Sequence, residues 1–95
     1  MSVENNVVEG KYLTYLGQPL VREGDTICYG DKSKKFFLIL DIMTYKKVNG
    51  GDVPDHIHIS VVESKNPDNC VKQGDKRGMS EALSFGIAWL NMQNK

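Results

Sequence analysis

His56 and His58 are the two histidines of the chain, and they stand one residue apart. In an extended strand, residues i and i+2 project from one face, so the two imidazoles share a side. Such a pair is the beginning of a zinc site, which needs a third and fourth ligand at about 2 Å. Asp41 is the carboxylate placed to join them. It interrupts the apolar run Phe36-Phe37-Leu38-Ile39-Leu40-Asp41-Ile42. A carboxylate among apolar side chains must be paired or change its pKa. Asp41, His56 and His58 therefore make up the candidate polar site. No further ligand spacing accompanies them, so no metal, cofactor or catalytic group is assigned. The expected arrangement is a hydrogen-bonded cluster, with Asp41 reaching Ser60 or His58 across a hairpin.

Other reactive groups are sparse. Cys28 and Cys70 lack a Cys-x-x-Cys partner and a neighbouring histidine, and two unlinked thiols are expected. No serine stands in a nucleophile elbow, and no glycine pattern matches a phosphate loop. In Gly74-Asp75-Lys76-Arg77-Gly78, Asp75 reads as the cap of a following helix.

That helix is the strongest pattern in the chain. Between Met79 and Gln93, Met79, Ala82, Leu83, Gly86, Ile87 and Leu90 recur at helical spacing as one apolar stripe. Phe85, Trp89 and Met92 form a second stripe on its flank. A surface helix usually needs one apolar face. The surplus at Phe85, Trp89 and Met92 marks the candidate interaction surface, covered either by the chain before Gly10, through Val7 and Val8, or by a partner.

The elements that carry these residues read as short strands. Lys11–Leu16, Leu20–Arg22 and Thr26–Tyr29 are separated by Gly17-Gln18-Pro19 and Glu23-Gly24-Asp25, the signature of a meander. A long strand follows from Phe36 to Lys47. Leu38, Leu40 and Ile42 point to one side of it, and Ile39, Asp41, Met43 and Tyr45 to the other. Asn49-Gly50-Gly51-Asp52 turns it back into His56–Glu63. A two-residue Gly50-Gly51 turn would put Pro54 where a ladder N–H is needed. A four-residue loop closed by Val48 and Val53 avoids this and sets Ile42 opposite Ile59, Leu40 opposite Val61 and Asp41 opposite Ser60. Cys70–Gln73 makes a last short strand.

The expected fold is α+β: a mostly antiparallel β-meander of about five short strands with one C-terminal helix packed on it. Residues 1–9 are expected to be a flexible segment and 10–95 a single domain. Twelve basic and twelve acidic residues give zero net charge, whereas proteins that live on duplex nucleic acid usually carry a basic excess. No basic-apolar leader opens the chain, and no run approaches the roughly 18 apolar residues of a membrane span, so a cytoplasmic location is expected. The function expected is a small non-enzymatic interaction module that meets a copy of itself or another protein. One alternative is a single-stranded nucleic-acid-binding domain that uses Tyr12, Tyr15, Tyr29 and Tyr45 with the lysines at 32, 34, 35, 46, 47, 72 and 76. The other is a metal-binding protein or enzyme built on Asp41, His56 and His58.

Overall fold

The computed structural model describes residues 12–94. The expected flexible segment 1–9, and with it a cover by Val7 and Val8, lies outside the described residues. Among the described residues, eight strands precede one helix. β1 (Tyr12–Tyr15), β2 (Gln18–Glu23), β3 (Thr26–Tyr29), β4 (Phe36–Ile42), β7 (His56–Glu63) and β8 (Cys70–Arg77) form a six-stranded sheet in that spatial order. Every pairing in it is antiparallel. β5 (Tyr45–Val48) and β6 (Gly51–Pro54) form a separate two-stranded ribbon. Helix α1 spans Met79–Gln93, the range the helical spacing predicts. The strand count exceeds five because of the hairpin. The long hairpin divides at Met43-Thr44 into two pairings, and its outer part becomes β5 and β6, strands of their own.

The register of the hairpin differs from expectation by two residues. Leu40 pairs with Ile59, Ile42 with Ile57, and Asp41 with His58 rather than with Ser60. The turn explains the shift. Val48 pairs with Gly51, so Asn49 and Gly50 are the two turn residues, with φ of 52° and 83°. Both φ values are positive, as a type I′ turn requires, and Asn-Gly is its preferred sequence. Such a turn is closed by a hydrogen-bonded pair, and pairs then alternate. Tyr45 opposite Pro54 thus falls at a non-hydrogen-bonded position, and the proline loses nothing. Moving the turn back by one residue satisfies the proline rule without a longer loop. An even shift keeps each side chain on its expected face.

One face of the sheet is the core. Tyr29, Leu38, Leu40, Ile57, Ile59 and Val61 are fully buried there together with Leu90 of α1. The helix crosses β4, β7 and β8. Gly86 makes the close approach possible: a Cβ at that position would stand 2.8 Å from Leu38 Cδ2 and 3.3 Å from Ile59 Cγ2. At the far end, Asn94 ties the helix to the sheet, since Phe36 N donates to Asn94 Oδ1 (3.0 Å) and Asn94 Nδ2 donates to Phe36 O (3.1 Å). No helix among the described residues is long and apolar enough to cross a membrane.

Candidate functional site

The register aligns four polar residues straight across the sheet face away from α1. Thr26 of β3 lies beside Asp41 of β4, Asp41 beside His58 of β7, and His58 beside Asp75 of β8. Asp41 takes its hydrogen bond from Thr26 Oγ1 (2.9 Å), on the strand opposite to the hairpin partner expected. The imidazoles turn the other way. His58 Nδ1 lies 2.8 Å from Asp75 Oδ1, and His56 Nε2 lies 3.4 Å from the same oxygen. The histidines do share a face, as period two requires, but their common acceptor is Asp75.

Asp75 is the residue that sequence reasoning misplaced. It does not cap α1. The N-cap is Gly78 at φ 87°, with no side-chain cap bond. β8 runs on to Arg77, past Gly74, and the alternation Gln73-x-Asp75-x-Arg77 carries Asp75 onto the face of the histidines. The hydrogen bond from His58 holds the Asp75 carboxyl below the usual carboxylate range, and the charges of His58 and His56 act in the same direction. Beside it, Arg77 Nη1 donates to Asp55 Oδ2 at 3.1 Å. Among the described residues, no three or more histidine, cysteine, aspartate or glutamate side chains converge as a metal site.

Cys28 and Cys70 are both free thiols. Burial pushes the Cys28 thiol up from its ordinary value, away from the thiolate that a nucleophile requires. Cys70 is exposed, and its Sγ donates to Lys72 O at 3.2 Å.

The helix flank divides into an inner and an outer part. Trp89 is half-buried against the core, and its ring occupies the space over Gly74. Lys72 Nζ stands 5.0 Å from the Trp89 ring centroid, and Lys76 Nζ stands 3.9 Å from that of Phe85. These lysines extend from β8 over the flank with their ammonium groups over the rings, a cation–π arrangement that covers apolar surface. The sheet therefore reaches further around the helix than one apolar stripe requires. Phe85 meets Trp89 edge-on at 6.5 Å yet stays 40% exposed, and Met92 is 68% exposed. Glu81, Phe85, Ala88 and Met92 form one exposed line along α1.

The tyrosines do not form a stacking row. Tyr29 is buried in the core and donates to Tyr15 O at 2.8 Å. Tyr45 donates to Asp25 Oδ1 at 2.6 Å and accepts from Arg22 Nη2 at 2.9 Å, which pins the ribbon to the β2–β3 turn. The bond to Asp25 raises the Tyr45 phenol above its ordinary value. The side chain of Tyr12 lies outside the described part of the chain.

Compared with protein-family models, curated proteins and solved structures, the chain matches none.

Proposed function

We propose that this chain is a small self-associating interaction module whose contact is the outer line of α1, with Phe85 and Met92 as its apolar residues. The observation that carries this reading is the exposure of these two large side chains, 40% and 68%, on one side of a helix whose inner side is already satisfied. They stand seven residues apart, about 10 Å along the axis. Ala88 lies between them and offers little bulk. Two such helices running antiparallel about an axis near Ala88 set Phe85 of one copy against Met92 of the other, twice. A surface of this kind is self-complementary, the requirement for a twofold dimer. A thioether against an aromatic ring is a favourable pairing.

The contact runs through side chains rather than through the strand edge. β8 pairs with β7 alone, so its outer edge is open among the described residues. Lys72 and Lys76 on the helix side, and the bulge at Val61/Val62, are devices that discourage edge-to-edge pairing. The same lysines lie beside the helix contact and repel across the axis. Association is therefore expected to be weak, with a Kd in the micromolar range of about 10–100 µM. Light scattering over a concentration series tests the reading. A dimer that Phe85→Glu converts to a folded monomer supports it; a wild type that is monomeric throughout overturns it.

A further inference from the structure

At the end of the sheet away from the ribbon, the β3–β4 and β7–β8 loops enclose a surface hollow of about 390 Å³ lined by Lys32, Ser33, Lys34, Lys35, Glu63 and Lys65. Four of the lining residues are lysines and one is a glutamate. The whole chain has zero net charge, so this is a local concentration and not a general basic character. Like charges gathered around a concavity raise the local potential and favour an anion that neutralises them. The frame of the hollow is fixed by backbone and side-chain bonds. Ser64 N donates to Lys35 O (2.9 Å) and thereby joins the two loops. Lys34 N donates to Asp31 O (2.9 Å), and Ser33 donates to Asp31 Oδ1 through both its N (2.9 Å) and its Oγ (2.7 Å). Two of the ammonium groups rest over rings: Lys32 Nζ is 4.9 Å from the Phe37 centroid, and Lys35 Nζ is 5.6 Å from that of Phe36. Phe36 and Phe37 are themselves buried and project from opposite faces of β4, so Lys32 and Lys35 flank the end of the sheet from its two sides. Asp31 does not line the hollow, and its carboxylate accepts both bonds from Ser33.

We infer that this hollow binds a small soluble phosphate compound carrying two or more negative charges at one end. Compact ammonium donors at several angles suit a phosphate, which presents acceptors all round. A carboxylate would present one charge to four cations. This site is separate from the α1 contact and does not depend on it.

Inorganic pyrophosphate is the probe, followed through the backbone amides of the full chain by NMR at low salt. Saturable shifts are expected at Lys32–Lys35 and at Ser64 and Lys65, and they should weaken as salt rises. Lys34 and Lys65 are exposed, so Lys34→Glu with Lys65→Glu leaves the fold intact and should lower the affinity about tenfold or more. Lys46→Glu with Lys47→Glu makes the same charge change on the ribbon and should lower it less than about twofold. Three results would overturn the inference: no shifts up to about 10 mM pyrophosphate, equal weakening by the two double variants, or binding only to vesicles containing phosphatidic acid and not to pyrophosphate.

Discussion

The Trp89 ring stands where a side chain at position 74 would be: a Cβ on Gly74 would lie 2.8 Å from Trp89 Cη2. This contact fixes the flank of α1 on β8 and leaves only Phe85 and Met92 facing outward. It predicts that Gly74→Ala destabilises the protein by about 1–3 kcal/mol, the usual cost of overpacking against a rigid group. Chemical denaturation measures it. A variant as stable as the wild type would mean that α1 does not rest on this strand.

Gly86 sets propensity against packing. Glycine within a helix costs about 1 kcal/mol relative to alanine, so Gly86→Ala on a free helix would stabilise. Here the added methyl meets Leu38 Cδ2 at 2.8 Å and Cδ1 at 3.0 Å, and Leu38 is fully buried with no room to withdraw. Overpacking of about 1–3 kcal/mol exceeds the propensity gain, and net destabilisation is expected. A raised melting temperature would show that α1 stands further from β4.

Leu40 and Ile59 are direct partners on the core face, both fully buried. Leu40→Ala and Ile59→Ala should each cost about 2–5 kcal/mol. Because the two side chains touch one neighbourhood, the double variant should lose less than the sum. Strict additivity in a double-mutant cycle would indicate a different register.

The fold was largely legible because it follows from periodicity. Alternation in Phe36–Ile42 and Ile57–Val61 placed the core, and helical spacing gave α1. The register was not, since Asn49-Gly50 and Gly50-Gly51 are both turn sequences, and only the hydrogen-bonding phase at Pro54 separates them. The polar site was half legible. His56 and His58 share a face because the strand demands it, but Asp75 sits beyond a glycine in a segment that ends at a helix, where an aspartate reads as a cap. The outward and inward parts of the flank could not be separated without knowing that β8 reaches Gly74 and supplies Lys72 and Lys76.

The Asp75–His58 bond carries a pH signature. The folded state holds the Asp75 carboxyl below its usual range. A carboxyl depressed on folding adds stability that is present above its unfolded pKa and is lost as pH falls through the folded value. Asp75→Asn should therefore lower the melting temperature at neutral pH, and the gap to the wild type should close as pH falls below about 4, the ordinary aspartate value. A gap that stays constant down to pH 2 would mean that the bond contributes through shape alone.

Salt separates the two surfaces. In the proposed dimer Lys72 and Lys76 repel across the α1 contact, so screening should strengthen self-association, while it should weaken the proposed anion binding at Lys34 and Lys65. Dimer dissociation constants at about 50 and 500 mM salt, a range over which screening changes severalfold, make the comparison. Association that weakens with salt would point to ion pairs rather than to Phe85 and Met92.

The most direct test is a mixing experiment with Phe85→Glu and Met92→Lys, read by sedimentation at about 100 µM. In the antiparallel arrangement, Phe85 of one copy meets Met92 of the other. Each variant alone sets a charge against an apolar side chain at both contacts and should be a folded monomer. Mixed, the two variants form one ion pair, between the introduced glutamate and the introduced lysine, and keep one native contact between Met92 and Phe85. The mixture should dimerise while neither variant does. A wild type that is monomeric at this concentration, or a mixture that stays monomeric beside a dimeric wild type, would contradict it.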